Sequence, residues 1–349
     1  MIRTLAAIAL VMAGPFPGKG SAEEAGPTYD IMEFSDLDGW ENDEHASALA
    51  TFRETCRDLD DPDWRALCRA AGDNPDPRAF FELFFRPVRI THGSDEALFT
   101  GYFEPELDGS TRPSPRFRWP LYRMPREAEE TRPWLTRRDI LTGDAMTGRG
   151  LEIAWVDDPV ELFFLQVQGS GRIRLQDGRT IRVGYGGANG HEYRSIGLEL
   201  IRRGTFSEHE VSADRIKKWV RENPLQGEEL LLHNPSYVFF REVSEVPADK
   251  GPLGAMNRSI TPMRSIAVDP AYTPLGAPVW IEKDGRDVMR RLMVAQDTGS
   301  AIKGAQRADI FAGTGAEAGQ WAGSLKDPGR MFVLLPIQRA YALLPDPTL

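Results

Sequence analysis

Two Asp-Gly turns constrain this chain more than any other feature. Asp177-Gly178 lies between Arg172–Gln176 and Arg179–Val183, and Lys283-Asp-Gly285 lies between Pro278–Glu282 and Val288–Ala295. A tight reversal between two apolar runs is a hairpin signal, because the favoured turn needs residues that accept positive φ. Ile173, Leu175, Ile181 and Val183 would then share one face. Gly 33 and Pro 26 supply turns along the whole chain. The expected fold is mainly β with helical decorations, and a closed barrel is the natural way to hide so many strand edges. A length of 349 residues fits two domains, or one with an insertion.

The N-terminal third reads differently. Met1–Ala22 has the form of a secretory signal, with Arg3, the apolar run Leu5–Ala13 and the small residues Gly20-Ser-Ala22. That run is too short to span a bilayer. It holds no cysteine for lipid modification, so an exported, periplasmic and unlipidated protein is expected. Glu23–Glu44 is acidic and aperiodic, and reads as a poorly ordered lead-in. Leu49, Phe52, Cys56 and Leu59 recur at helical spacing. Asp61-Pro62 starts a second helix that Gly72 closes, and Asp76-Pro77 starts a third carrying Phe80, Phe81, Phe84 and Phe85 inward. Cys56 and Cys68 would staple the first two as a disulfide, with two buried thiols as the alternative.

Leu98–Phe103 reads as a strand, and Glu161–Gln168 as another ending at Gly169-Ser-Gly171. Helices are expected around Tyr193, Ile196, Leu200 and Ile201, stopping at Gly204, and over Ser212–Asn223. Met331–Leu335 is the final strand.

Charge narrows the function. The formal net charge is −10, or −12 once Arg3 and Lys19 leave with the signal, which argues against nucleic acid. Arg112–Arg138 is locally basic, but Glu127, Glu129 and Glu130 dilute it, and it reads as a solvated loop. Five histidines without ligand spacing and two cysteines make no zinc site. No cofactor is expected.

Chemistry concentrates in Val294–Gly304 and Arg307–Gly313, where Asp297 and Asp309 each precede a glycine turn. Asp297-Thr-Gly-Ser300 has the form of an aspartic-protease signature, but that chemistry needs a second copy, and Asp108-Gly-Ser110 is out of order. A hard-cation site at Asp269, Asp297 and Asp309 would need clustered ligands, whereas these are scattered, with Lys303 and Arg307 between them. Glycan cleavage remains. One carboxyl can protonate the bridge oxygen and later take a proton from an attacking hydroxyl, provided its pKa is raised by a sheltered pocket or a neighbouring carboxylate. Asp309, beside Ile310-Phe311, fits that need.

Several motifs carry a more specific resemblance. Ala267-Val-Asp-Pro270, Asp297-Thr-Gly299 and Ala308-Asp-Ile-Phe311 resemble the three-aspartate "3D" domain. Phe99–Pro105, Phe164–Gly171, Val183–Gly190 and Asn234–Tyr237 resemble the characteristic domain of the membrane-bound lytic transglycosylase A family. The match covers roughly 97 to 335, and the order of the motifs makes it specific. The resemblance implies a double-psi β-barrel holding the 3D segment, with a second β-rich domain inserted. It implies boundaries at 23–105 for the helical section and first part of the barrel, 106–245 for the insert and 246–349 for the rest of the barrel. It also implies cleavage of the β-1,4 bond between N-acetylmuramic acid and N-acetylglucosamine, leaving a 1,6-anhydromuramyl end. Asp309 falls at the family's catalytic acid/base and Asp297 at its supporting aspartate. Tyr102, Glu104, Gln166, Gln168, Ser170, Tyr185 and Asn189 are expected to line the glycan groove, and Asp269 to stabilise a barrel turn. The expected partner is the peptidoglycan glycan strand, bound by a monomer, with any outer-membrane or wall-complex association open. An inverting glycosidase using the Asp297/Asp309 pair and a non-catalytic wall-binding module are the alternatives.

Overall fold

The computed structural model describes residues 26–344 except 74 and 248, so the signal-like Met1–Ala22 lies outside the described residues. In chain order the strands are β1 (Thr28–Ile31), β2 (Phe85–Thr91), β3 (Ala97–Glu104), β4 (Glu106–Ser110), β5 (Trp119–Tyr122), β6 (Glu152–Val156) and β7 (Gly171–Leu175). They continue as β8 (Thr180–Ala188), β9 (Val238–Glu242), β10 (Ser265–Val268), β11 (Pro278–Lys283), β12 (Met289–Thr298), β13 (Arg307–Thr314) and β14 (Lys326–Pro336). They form two sheets, one of eight strands and one of six.

The eight-stranded sheet closes on itself. Its order is β1-β2-β14-β11-β12-β10-β13-β3, and β14 also pairs with β3, so the run from β14 to β3 makes a ring. The long β14 achieves this by changing partners along its length: Lys326–Gly329 pair with β3, Gly329–Val333 with β11, and Val333–Pro336 with β2. Two pairings in the ring are parallel, β10 with β12 and β13 with β3. Every residue of β10 and β11 is buried. Ile266–Val268 and Val279–Ile281 accordingly read as apolar runs, while the buried Glu282 and Lys283 at the end of β11 are ion-paired to Arg330 and Asp327. Both Asp-Gly hairpins form as expected, β7–β8 and β11–β12.

Three helices pack against the ring, His45–Thr55, Pro62–Gly72 and Pro77–Phe84. Asp61 and Asp76 cap the last two through Asp63 N and Ala79 N, with proline in the first turn of each. Phe52, Phe80, Phe81 and Phe85 interlock with Trp64, and each such buried ring is worth about 1.5–3 kcal/mol. Phe84 points outward instead, at 37 % exposure. Cys56 and Cys68 are disulfide-bonded across the first two helices. The acidic lead-in is more ordered than its composition suggests: β1 extends the sheet beside β2, and Trp40 is buried against Trp280.

The six-stranded sheet has the order β5-β6-β4-β7-β8-β9 and its own core around Leu121, Leu165, Ile173 and Phe240. Two expectations fail here. Glu161–Gln168 is not a strand but most of the helix Pro159–Gln168. Asp158 accepts from Val160 N and Glu161 N, Pro159 opens the first turn, and Gly169 ends it at φ 79°. The alternation in Glu161–Gln168 concealed a helix whose start signal lay just upstream. Arg112–Arg138 is not a solvated loop either. It contains β5, the helix Arg126–Glu130 and a buried Arg137.

The chain passes between the sheets at 104–106 and again after 242, and one ionic cluster holds both crossings. Glu104, fully buried at the end of β3, pairs with Arg172 at 2.8 Å and Arg182 at 3.0 Å. Both arginines also donate to the carbonyl of Lys250 on the return segment.

Candidate active site

A cavity of about 820 Å³ lies between the two sheets, within the usual range for a ligand site. The ring supplies Gly101, Tyr102, Ala267, Asp297 and Asp309; the other wall supplies Gln166, Gln168, Ser170 and Tyr185.

Strand register explains the floor. Ala267 of β10 is opposite Asp297 on one side and Asp309 on the other, and Asp309 is in turn opposite Thr100 of β3. Four adjacent strands thus place Asp297, Ala267, Asp309 and Thr100 in one row. The small Ala267 leaves open space between the carboxyls. A bulge makes the row possible. Ile266 pairs with Ala295 but Ala267 with Asp297, so Gln296 is an extra residue. It is buried and hydrogen-bonded to Ser265 and to the carbonyl of Thr51. Bulges beside sites re-aim the next side chain.

The two carboxyls differ in their partners. Asp297 has a donor on each oxygen. Its Oδ1 accepts from Thr298 N at 2.9 Å and Ala255 N at 3.0 Å, and its Oδ2 accepts from the Tyr102 hydroxyl at 2.9 Å. Gly254 permits this arrangement, since a Cβ there would stand 2.6 Å from the carbonyl oxygen of Gln296. Asp309 accepts from Thr100 Oγ1 at 2.5 Å through Oδ1, and Oδ2 has no partner among the described residues. Thr100 is itself oriented by Arg307, whose Nη2 donates to its hydroxyl at 2.7 Å.

Both carboxyls hold protons more tightly than free aspartate. Burial pushes Asp297 up to about 6 against its three donors, and the nearby Asp309 charge adds to the rise. Burial also raises Asp309, while Thr100 and Arg307 pull it back. Burial and the Asp297 charge hold the Tyr102 hydroxyl well above its ordinary range, so it is a donor at any working pH. A raised pKa marks both as candidate acids, so titration does not choose between them. Free coordination does: only Asp309 offers an oxygen without a donor already on it.

The remaining expected residues divide. Gln168 lines the cavity, with its Oε1 accepting from Phe103 N, and Ser170 and Tyr185 line it too. Tyr185 is 58 % exposed, next to the bulge that Gly186 forms against β9. Gln166 reaches the cavity while accepting from Arg137 at 2.6 Å. Glu104 and Asn189 do not reach it. Glu104 is consumed by the ionic cluster, and Asn189 ties together Leu135 O, Pro235 O and Tyr237 N. Polar residues inside apolar motifs carry the same sequence signal whether they face a ligand or satisfy backbone. Asp269 spans the turn to Ala271 N and receives Gly304 N, with Lys303 at 3.8 Å. Among the described residues no three His, Cys, Asp or Glu side chains gather as a metal-ligand group. Thr100, Arg307 and Arg137 were missed. Thr100 was within reach, since it lies in the Phe99–Pro105 motif two residues before Tyr102.

Comparison with known proteins places these residues in a family. The MltA specific insert domain matches residues 98–241 and the 3D domain matches 264–335, which includes Asp269, Asp297 and Asp309. The membrane-bound lytic murein transglycosylase A of Vibrio cholerae is 34% identical over 287 residues, covering 78% of this chain and 76% of the relative. The crystal structure of a membrane-bound lytic murein transglycosylase from Agrobacterium tumefaciens superposes with a TM-score of 0.80 at 32% identity, covering 91% of this chain and 100% of that one. Escherichia coli MltA with bound chitohexaose gives 0.70 at 29% identity, covering 86% and 90%. On this identity, this coverage and this pair of domains, the chain belongs to the MltA family.

Proposed function

We propose that the protein is a lytic transglycosylase that cuts the β-1,4 bond between N-acetylmuramic acid and N-acetylglucosamine in peptidoglycan. The observation that carries this reading is the free oxygen of Asp309 on the cavity floor, beside a second carboxyl with a donor on each oxygen. Asp309 starts protonated, as its raised pKa favours, and gives that proton to the bridging oxygen. The bond from the anomeric carbon to that oxygen breaks, and the glucosaminyl unit leaves with a free hydroxyl. The muramyl C6 hydroxyl then attacks the anomeric carbon, and Asp309 takes up its proton. A 1,6-anhydro ring closes and no water is consumed. Asp297 is a positioning residue in this scheme: with Tyr102 it fixes the floor beside Asp309, whose proton is held by burial.

Relatives support the substrate class. The Vibrio cholerae relative is named for murein, and the Escherichia coli structure holds a β-1,4 glycan, chitohexaose. In this reading 106–245 is the inserted domain that forms one wall, and 23–105 with 246–349 makes the barrel. The closed ring with two parallel pairings fits a double-psi barrel. Export to the periplasm fits the substrate and the Cys56–Cys68 disulfide.

An inverting hydrolase would need Asp297 as a base toward water, yet its oxygens already accept three hydrogen bonds. Product analysis decides. Chromatography of digested peptidoglycan is expected to give anhydromuramyl ends with the parent protein and to give them at least about a hundredfold more slowly with Asp309→Asn. Reducing muramic ends in their place would overturn the reading.

A further inference from the structure

Arg137 takes no part in the proton shuttle, yet its setting is unusual for an arginine. It begins the helix Arg137–Thr142, is 3 % exposed and lines the cavity on the wall opposite the carboxyls. Buried guanidinium groups are normally matched by a carboxylate, because an unpaired buried charge is costly. Arg137 has none among the described residues. Its acceptors are all neutral: Gln166 Oε1 at 2.6 Å, Ser236 O at 2.7 and 3.1 Å, and Asn234 O at 3.2 Å. Its plane lies over the rings of Phe163 and Tyr237, which shelter the charge without neutralising it. Burial lowers its pKa to about 10, so it remains a cation at neutral pH. Of the five N–H groups a guanidinium carries, the acceptors above occupy three, leaving two for a ligand.

We propose that Arg137 anchors an anion subsite in the cleft, and that the anion is a carboxylate carried by the muramyl sugar. This rests on the peptidoglycan reading above and deepens it. Muramic acid differs from glucosamine by a lactyl ether that ends in a carboxyl group. In stripped glycan that carboxyl is free. In intact peptidoglycan it is amide-bonded to the stem peptide, which carries carboxylates of its own. Either source offers the planar, two-oxygen acceptor that a guanidinium fork takes better than an ammonium does. Glucosamine polymers offer none. The subsite would therefore help set which of the two alternating sugars occupies the position over the six-stranded sheet. Tyr193 and Ser236 line the cavity around it and add neutral donors.

The test measures binding to the Asp309→Asn protein, which is expected to hold substrate while cutting it at least about a hundredfold more slowly. Three ligands are compared: chitohexaose, stripped glycan strands of similar length, and the same strands bearing stems. Both anionic strands, or one of them, are expected to bind about tenfold tighter than chitohexaose, the worth of one charge-assisted contact. The tighter of the two identifies the carboxylate. Arg137→Lys is expected to collapse that ratio. Gln166→Glu should do the same by giving the guanidinium an internal carboxylate, and it keeps the shape of the site should the lysine variant not fold. A purely structural Arg137 would lower all three affinities together and leave the ratio unchanged. An unchanged ratio in a folded variant, or no anionic preference in the parent, overturns the subsite. Failure of all three glycans to bind would instead sink the peptidoglycan reading itself.

Discussion

The two walls of the cleft are built on different physical terms. The barrel wall is rigid and set by register: adjacent strands fix Asp297, Ala267, Asp309 and Thr100 in a row, and burial loads the carboxyls with protons they would otherwise lose. The opposite wall is set by a helix end and a strand bulge, and it offers an amide, a hydroxyl, an exposed ring and a sheltered cation. One wall is made for proton transfer and the other for holding a ligand. Each wall uses a bulge, at Gln296 and at Gly186, to turn a neighbouring side chain into the cleft. The division predicts that damage to the barrel wall changes kcat and that damage to the opposite wall changes KM.

The hardest test is Asp309→Asn. Losing a positioned acid costs roughly 10²–10⁴-fold in rate, so kcat for peptidoglycan solubilisation should fall by that much with substrate affinity kept. A loss confined to KM would erase the distinction between the walls. Chelation with EDTA should leave the parent's rate unchanged, since every step assigned here moves a proton between carbon-bound oxygens.

Asp297→Asn comes next. We expect a roughly ten- to hundredfold loss in kcat, the worth of one charge contact at the site. It also carries a stability signature. An aspartate whose folded pKa is raised binds an extra proton in the fold between its unfolded and folded values. Stability from this group is therefore greatest at low pH and falls as pH rises from 3.8 to about 6. That gap corresponds to roughly 3 kcal/mol. Asparagine has no such term. The stability of the variant relative to the parent should climb between those limits and level off outside them, as read by denaturant unfolding at several pH values. A difference that stays flat would mean that burial does not raise Asp297.

Much of this contrast was legible in the sequence, and unevenly so. The barrel wall was readable because its signals are local: an Asp-Gly turn fixes a hairpin, and an Asp beside a glycine turn marks a carboxyl at a strand end. The proximity of Asp297 and Asp309 was not readable, since it comes from β10 passing between two strands distant from it in sequence. The opposite wall was misread where a local signal was ambiguous. Glu161–Gln168 alternates like a strand, but Asp158 and Pro159 set it as a helix, and that helix brings Gln166 and Gln168 to the cleft. Arg137 was hidden within a run diluted by glutamates, because composition cannot tell which arginine of a basic stretch turns inward. Glu104 and Asn189 show the reverse error, polar residues in the right motifs that serve the scaffold.

Thr100→Val sharpens the barrel side further. The hydroxyl both orients Asp309 and favours its ionised form, so its loss should raise the carboxyl's pKa again. An acid that must start protonated then works to higher pH, and the alkaline limb of kcat should move upward. At the plateau a five- to tenfold loss is expected from the missing hydrogen bond. A limb that moves downward would mean that Thr100 stabilises the protonated form, reversing its assigned role.

Tyr185→Ala is the gentlest probe and the one aimed at the opposite wall. The ring projects from β8 into the cleft at 58 % exposure, and burial beneath a ligand would complete its packing. Stacking on a sugar face in an open site is worth about 1 kcal/mol, so KM should rise about fivefold. The contact is made equally with bound substrate and with the transition state, which leaves kcat unchanged. Tyr185→Phe should restore KM, because the face of the ring rather than its hydroxyl meets the sugar. If kcat falls with KM constant, Tyr185 acts at the reacting bond, and proton transfer and ligand holding are then not separate properties of the two walls.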